Sequence, residues 1–416
     1  MKIMKIRQRF GLTKKEQSIM EDYKQINRNN IIRYFEQGCK EEKTPLHFGL
    51  ELEHFVVDKK LKKSIPYRGK RGMEELLERL RPRYPKTQEA SGHLIGLSCE
   101  EYAVSLEPAS QLEISIAPQE SIQKIMSIYH KFRVEMERIL QEWDFELVTK
   151  GYQIHDCVDQ LPLIPKKRYE YMDRYFDKIG IYGKQMMRGT ASTQVSIDYY
   201  SEEDCTKKYY VACALSDILA KLTENTPVYE GKPFDGHFLR RDIWKKTDKD
   251  RVDITPYEKD GEINFARYTD FLFDTPIIVD SKDGNDSYSE MTIGEICEER
   301  ILSTAEIEHV LSMVFPIIRI KKYLEIRIAD SMEEESVKCY LILMKGLFEN
   351  IEATYQCIVS PNFLKGTWKE KLEELLSVAK VNLEEEEKNY LASFSNSILE
   401  EQTIIRKGKT DGTIFK

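Results

Sequence analysis

The stretch Gly49-Leu50-Glu51-Leu52-Glu53 decides how this chain folds, because it alternates leucines with two glutamates. Side chains on a β-strand point alternately to its two faces, so both glutamates share one face and both leucines the other. At a rise of roughly 3.3 Å per residue the two carboxylates stand about 6–7 Å apart, which suits shared binding of hard cations. Taken alone, the stretch also fits a sheet face that is simply exposed to water.

The same alternation returns in three later segments, and this repetition favours a functional face. Glu325 and Arg327 share one face of a predicted strand, and Gln111 and Glu113 share one face of another. Gln194 lies on the polar side of a fourth segment, whose other side carries β-branched residues. Four strands with apolar backs and polar fronts predict a sheet that lines a polar cavity.

Acidic side chains in these segments point to metal binding. Mg²⁺ takes oxygen ligands and is often held by a few carboxylates together with substrate phosphates. Without cations, so many like charges in one cleft would repel one another strongly. The sequence therefore predicts two or three Mg²⁺ ions bound by five acids, namely Glu51, Glu53, Glu107, Glu113 and Glu325. Of these, Glu107 precedes Pro108, which cannot donate to a strand ladder and should mark a break or bulge.

Composition and short motifs exclude several classes of protein. The 416 residues carry a net charge of −8, which gives no support for a nucleic-acid or anionic-membrane partner. No apolar run is long enough for a membrane helix, and the basic start lacks the apolar core of a secretory signal. The cysteines are scattered without a C-x-x-C pair, so we expect a cytoplasmic protein. P-loop, Rossmann and G-x-S-x-G motifs are missing, which leaves metal-bridged phosphates as the route for binding a nucleotide.

The arrangement of predicted elements indicates an α+β fold with an antiparallel sheet. We expect helices over 14–39, 73–80, 121–143, 169–176, 203–222, 334–357, 369–379 and 383–399. Strands are expected near 47–57, within 94–116, and around Gln194 and Glu325. The region 226–290, rich in Pro, Gly and Asp, is interpreted as loops with short strands, and 281–287 as its most loop-like part. His54 should point to the apolar side of its strand as a structural histidine.

No linker divides the chain cleanly, so we interpret residues 1–416 as a single catalytic domain. An acid-rich sheet region covers about 44–330, and a helical region covers about 334–416 and packs on it.

Five motifs resemble those of the glutamate–cysteine ligase family, in particular its plant and proteobacterial branch. They are G-x-E-x-E, S-L-E-P-x-x-Q-x-E, a Met-Met segment leading to T-x-x-x-Q-V-x-x-D, R-x-x-I-W-x-x-T-D-x-D-R, and F-P-x-[VI]-R-[LI]-K-x-Y-L-E-x-R. In this chain they fall at 49–53, 105–113, 186–198, 240–251 and 315–327. The matches are collinear from about residue 35 to 335.

The resemblance implies an ATP- and Mg²⁺-dependent ligase that joins the γ-carboxylate of glutamate to the amine of cysteine, the first step of glutathione-type thiol synthesis. It also implies a glutamine-synthetase-like fold, in which a curved antiparallel sheet lines the active-site cavity and helices pack outside. By position, the five acids would carry Mg²⁺ and the ATP phosphates. Gln194 and Arg327 would lie at the nucleotide, and Glu325 and Arg327 at the transferring group. The glutamate substrate would contact Met187, Thr190, Arg240, Trp244 and Tyr268.

Three departures from the family pattern concern the shape of the substrate pocket. Arg188 lies one place before the family's arginine, with Gly189 between it and the threonine; Ala109 and Ser110 replace a glycine pair; and Ile328 stands where the family usually has glycine. A related carboxylate–amine ligase acting on another amine therefore stays open. A non-catalytic binding module and a guanidino kinase are further alternatives, the first opposed by five intact acids and the second by the missing arginine and cysteine context.

Overall fold

The computed structural model describes residues 14–258 and 262–392, and a ten-stranded antiparallel sheet runs through its centre. The strands are β1 (Phe48–Asp58), β2 (Lys63–Ser64), β3 (Lys86–Ala90), β4 (His93–Ser98), β5 (Tyr102–Leu106), β6 (Leu112–Gln119), β7 (Phe145–Val148), β8 (Ser192–Ile197), β9 (Val228–Tyr229), β10 (Lys232–Pro233), β11 (Pro276–Lys282), β12 (Asn285–Thr292), β13 (Ile318–Ile320) and β14 (Leu324–Asp330). The main sheet has the order β13-β14-β8-β1-β6-β5-β4-β3, with β2 and β7 also paired to β1. Two hairpins, β9–β10 and β11–β12, stand apart from it.

Helices pack around the sheet. They are α1 (Lys14–Glu36), α2 (Met73–Leu80), α3 (Ile122–Glu142), α4 (Lys167–Ile179), α5 (Glu202–Leu222), α6 (Leu239–Thr247), α7 (Lys249–Val252), α8 (Phe265–Asp274), α9 (Ile293–Glu299), α10 (Thr304–Leu311), α11 (Glu334–Glu349), α12 (Ile351–Ile358), α13 (Pro361–Lys365) and α14 (Trp368–Ala379). A further helical stretch begins at 385 and reaches 392, where the described residues end. The α+β prediction with an antiparallel sheet is confirmed.

Strand register places the predicted polar residues on one face of the sheet. Glu53 lies directly opposite Glu113, and Glu51 lies opposite Ser115 on β6 and Gln194 on β8. At the end of the sheet, Glu325 is paired with Ser196 of β8 and with Arg319 of β13. Because opposite residues in an antiparallel pair share a face, these side chains all point to the same side.

The other face of the sheet is apolar and fully covered. Leu52, Ile114, Val195 and Ile326 are each 0% exposed, and α3 and α5 pack against the strands that carry them. His54 lies on this side, 3.0 Å from the Leu112 carbonyl oxygen through Nδ1 and 2.9 Å from the Tyr129 hydroxyl through Nε2. Burial lowers the pKa of His54 to about 4, so the prediction of a structural histidine is confirmed.

The interpretation of 226–290 as loops with short strands is only partly right. Strands β9 and β10 are short, as predicted, but the region also contains α6, α7 and α8. Helix α8 is capped by Asn264, whose side chain accepts a hydrogen bond from the Arg267 amide at 2.9 Å. Stretch 281–287 is not a loop but the tip of the β11–β12 hairpin, where Lys282 pairs with Asn285. Between them, Asp283 and Gly284 have φ of 50° and 78°, the left-handed geometry that an Asp-Gly hairpin turn requires.

Helix ends differ from the prediction by a few residues in most places. The predicted helix over 14–39 ends at Glu36, and the one over 334–357 is divided at Asn350 into α11 and α12. The prediction over 383–399 is helical from 385 to 392, and the rest of it lies outside the described residues. Over 14–258 and 262–392, the helices are all too short or too polar to cross a membrane.

Candidate active site

A cavity of about 220 Å³ opens on the polar face of the sheet. Glu51, Glu53 and Glu113 project into it from β1 and β6, and Glu107 enters from the β5–β6 loop. The structure thus brings together four of the five acids that the sequence predicted as metal ligands.

The β5–β6 loop is built to present Glu107. Strand β5 ends at Leu106, as the position of Pro108 predicted, and the Glu107 amide donates to the Gln111 carbonyl at 2.9 Å. Gln111 turns back across the loop and donates through Nε2 to the carbonyl oxygens of Met187 and Thr190, both at 3.2 Å. Gln111 therefore joins the acidic loop to the wall that carries the predicted substrate residues.

Glu53 and Glu113 form a like-charged pair across neighbouring strands. Glu53 accepts hydrogen bonds from the Ser192 amide at 2.8 Å, the Ser192 hydroxyl at 2.9 Å and Gln194 Nε2 at 3.0 Å. Glu113 accepts from the hydroxyls of Ser105 at 2.9 Å and Ser115 at 3.0 Å. Burial raises the pKa of both carboxyls above the usual range, while these donors favour the ionised forms.

Burial and nearby carboxylates also shift the pKa of Glu51 and Glu107. Burial, followed by repulsion from Glu113 and a second carboxylate, raises the pKa of Glu51 to about 7 and that of Glu107 to about 8. Like charges directly opposite on a sheet are destabilising, so four buried or partly buried acids facing one cavity fit a site for a cation with oxygen ligands. Within 14–258 and 262–392, however, no three acidic, histidine or cysteine side chains converge closely enough to form a complete metal-ligand cluster.

Glu325, the fifth acid, lies behind the cavity and is neutralised by three cations. It is 0% exposed, and its oxygens lie 2.6 Å from Arg319, 2.8 Å from Lys321 and 3.1 Å from Arg327. Although burial alone would raise the pKa of Glu325, these cations hold it well below its usual range. In this structure Glu325 fixes two cavity-lining arginines, and its metal role stays a prediction.

Arg327 is held at the cavity wall by contacts on several sides. It donates to Gln194 Oε1, pairs with Glu325, and lies over the Trp244 ring at 5.4 Å from the centroid. Gln194 in turn donates to Glu53, so a continuous chain of hydrogen bonds runs from an acid of the cavity to this guanidinium. Such preorganised cations suit the stabilisation of developing negative charge.

The five predicted glutamate-binding residues divide into two groups. Met187, Thr190 and Trp244 line the cavity. Arg240 does not: it is 4% exposed and donates to the backbone carbonyls of Arg327 and Ile328 at 3.1 Å. Tyr268 is 0% exposed and packs among Phe35 and Phe271, so the structure does not bring it to the cavity wall.

Comparison with known proteins identifies the family of this chain. Residues 47–359 match the family model described as glutamate-cysteine ligase family 2. The chain belongs to that family.

Relatives of the family include chloroplastic glutamate–cysteine ligases of plants. The Medicago truncatula protein is 31% identical over 73% of this chain and 61% of its own length. The Brassica juncea protein is 30% identical over 73% of this chain and 60% of its own length. The chain thus spans about 60% of the length of the curated relatives it matches. A solved Francisella tularensis structure, titled glutamate–cysteine ligase in complex with AMP, aligns with 86% of this chain and 83% of its own at 13% identity and a TM-score of 0.48.

Several cavity residues escaped the sequence reasoning. Arg168, Tyr169 and Met172 of α4 line the cavity, as do Ser312 after α10 and Arg319 of β13. Arg319 could have been found, because it alternates with Lys321 in a family motif just before Glu325. The α4 residues carried no comparable signal, and Arg168 lies one position before the helix predicted over 169–176.

Arg188, one of the departures from the family pattern, does not enter the cavity. It lies in a π-helical turn, Gln185–Gly189, and is 9% exposed. Its guanidinium pairs with Asp173 of α4 and donates to the Leu161 carbonyl at 2.9 Å. Arg188 therefore ties the Met-Met segment to α4 as a structural residue.

Proposed function

We propose that this chain is an ATP-dependent ligase that joins the γ-carboxylate of glutamate to the amine of cysteine. The observation that carries the proposal is the pairing of Glu53 with Glu113 inside a cavity that also holds Glu51, Glu107 and Arg327. Membership of glutamate-cysteine ligase family 2 supports the same reaction class.

The chemistry explains why such a cavity needs both acids and arginines. A carboxylate oxygen is a poor leaving group until it is activated. In the proposed reaction the γ-phosphoryl group of ATP passes to glutamate, leaving ADP, and the amine attacks the resulting acyl phosphate, which expels inorganic phosphate and a proton. Both reactants of the first step are anionic, and charge neutralisation with in-line positioning dominates its rate. No enzyme nucleophile is required.

The residues of this chain fit those tasks. Glu51, Glu53, Glu107 and Glu113 offer the oxygen donors that would hold Mg²⁺, which supplies charge neutralisation at the ATP phosphates when bound. Arg327, fixed by Gln194 and Glu325, offers a rigid guanidinium fork to the transferring phosphoryl group. Met187, Thr190 and Trp244 border the space left for the donor glutamate.

Phosphate release from ATP, coupled to formation of a γ-glutamyl product, tests the proposal. The purified chain should release phosphate only when glutamate, Mg²⁺ and an amine are all present, and cysteine should be the best amine in a panel of amino acids. Glu53→Gln should reduce turnover by a factor of about 100 or more, because it removes a charge from the paired acids. Arg174→Gln, on the exposed side of α4, is the matched control and should turn over normally.

Two results would contradict the proposed ligase activity. One is phosphate release that does not depend on any amine; the other is a Glu53→Gln variant with the turnover of the unmodified chain. Efficient turnover with an amine other than cysteine would leave the ligase chemistry intact and reassign the acceptor.

A further inference from the structure

Two neighbouring cations, Arg168 in the cavity wall and Lys166 two residues before it, have no carboxylate partner among the described residues. Arg168 donates to the hydroxyl and the backbone carbonyl of Ser312, both at 2.9 Å and both neutral acceptors. Its Nε is buried and meets no hydrogen-bond acceptor. Within 14–258 and 262–392, no Asp or Glu oxygen lies within 4.0 Å of Arg168 or of Lys166 two residues before it.

The other two arginines of the cavity differ in this respect. Arg319 and Arg327 both contact the buried carboxylate of Glu325, at 2.6 and 3.1 Å, so each has a direct carboxylate partner. Arg168 and Lys166 lie near Glu107, but not in contact with it. Of the arginines that line the cavity among the described residues, Arg168 is therefore the one without a direct carboxylate contact.

Arg168 and Lys166 are partly buried, and the Nε atom of Arg168 is fully so; a cation that loses hydration without a direct counter-charge calls for an explanation. Removing a charge from water costs several kcal/mol unless an opposite charge replaces the lost hydration. Burial accordingly lowers the pKa of both Lys166 and Arg168. An anionic group of a bound molecule would supply the missing partner, and a guanidinium fork matches a carboxylate best.

We propose that Arg168, with Lys166 beside it, binds the α-carboxylate of the acceptor substrate. This inference rests on the proposed ligase function and deepens it by naming the side chains that would distinguish an α-amino acid from a simple amine. Tyr169 and Met172, one and four residues further along α4, line the cavity next to Arg168, and Met187 faces it from the Met-Met segment. These side chains would border a short apolar or thiol side chain of the acceptor.

Binding of L-cysteine and cysteamine to the unmodified chain tests the inference without any substitution. The two molecules share a thiol and an amine, and only cysteine carries a carboxylate. Calorimetric titrations with Mg²⁺, glutamate and a non-hydrolysable ATP analogue present should show cysteine binding at least tenfold more tightly than cysteamine. Cysteine methyl ester should behave like cysteamine. Equal affinities for the three molecules would overturn the inference.

Substitution of Arg168 tests whether this side chain binds the carboxylate. Arg168→Gln should weaken cysteine binding by a factor of about ten or more and leave cysteamine binding unchanged, since only the carboxylate contact is lost. Arg168→Lys keeps the charge but not the fork and should recover part of the loss. Arg174→Gln on the same helix is exposed and should bind both molecules as the unmodified chain does.

The remaining outcomes distinguish which bound molecule supplies the anionic group. A loss of affinity for the ATP analogue in Arg168→Gln would assign the cations to phosphate, and a loss confined to glutamate would assign them to the donor; either result overturns the inference. Carboxylate-dependent cysteine binding in a chain that releases no phosphate would support carboxylate binding by Arg168 and contradict the proposed ligase activity. Failure of the inference and failure of the proposed function are therefore distinguishable.

Discussion

Glu325 shows how much the surroundings of a single residue add to what its motif suggests. Its carboxylate lies at the meeting point of Arg319, Lys321 and Arg327, and it is 0% exposed. Removing one partner of a buried ionic network leaves the others uncompensated, which is far more costly than losing a surface pair.

Glu325→Gln should therefore destabilise the chain as well as inactivate it. We expect the free energy of unfolding to fall by roughly 3–5 kcal/mol, measured by urea denaturation at pH 7. Glu146→Gln removes a partly exposed glutamate that lies 3.3 Å from Lys62 and should change stability by less than about 1 kcal/mol. Equal stability losses in the two variants would contradict the buried-network explanation.

At the residue scale, strand alternation predicted which side chains share a face but not what neutralises them. Alternation placed Glu51, Glu53 and Glu113 on one face, and the register confirms this. It could not reveal that Arg240 turns to the backbone of Arg327, because that contact joins residues 87 positions apart. Burial of Tyr268 likewise depends on how α8 packs on α1, which one sequence does not specify.

At the scale of secondary-structure elements, the π-helical turn Gln185–Gly189 determines where the predicted substrate residues Met187 and Thr190 lie. Its last residue, Gly189, lies against the ring of Tyr152, which is 0% exposed. A Cβ at position 189 would lie 2.5 Å from Tyr152 Cε2, closer than packed atoms tolerate. Since Met187 and Thr190 flank this glycine, any shift of the turn moves the cavity wall.

Gly189→Ala should accordingly impair activity more than stability. Overpacking should cost about 1–3 kcal/mol, and displacement of the wall should lower kcat/KM for glutamate by a factor of about 10–100. Gly92→Ala is the comparison: this exposed turn residue has a φ of 76° with open space around it, so only backbone strain should appear. Steady-state kinetics in which both variants keep normal kcat/KM would show that Gly189 does not position the wall.

Helix α8 and the β11–β12 hairpin turn have recognisable local sequence signals, but the composition of this region favours loops. The 226–290 region was interpreted from its Pro, Gly and Asp content, yet Asn264 caps α8 and buried Phe265, Tyr268 and Phe271 follow at helical spacing. Asp283-Gly284 lies in the stretch that its composition predicts to be a loop, although this dipeptide is a strong hairpin signal. Periodicity and turn chemistry, weighed before composition, would have predicted both.

For the whole molecule, one continuous apolar core determines how the cavity influences stability. Buried side chains from Ile31 in α1 to Leu391 near the end of the described residues belong to a single cluster. It includes Leu52 of the sheet and Leu341 of α11, so the sheet and the C-terminal helices share their packing. We expect such a molecule to unfold as one unit, and ionisation inside the cavity then shows in the global free energy of unfolding.

Stability of the metal-free chain should fall as the pH rises from 6.5 to 8. The folded-state pKa values of Glu51 and Glu107 are about 7 and about 8, above the value of about 4.3 for an unfolded glutamate. In this window the folded chain binds more protons than the unfolded chain, so each carboxyl contributes a decline of up to about 1.4 kcal/mol per pH unit. Below pH 6.5 the lowered pKa of His54 has the opposite effect, which sets the lower limit.

Urea denaturation in EDTA at several pH values measures this decline, and two changes should reduce it. Glu107→Gln removes the carboxyl that titrates last and should flatten the curve between pH 7 and 8. Saturating Mg²⁺ should stabilise the unmodified chain more at pH 8 than at pH 6.5, because a cation binds the ionised acids and competes with their protons. A metal-free chain whose stability is constant or rises over this range would show that the acids do not share a buried, mutually repelling site.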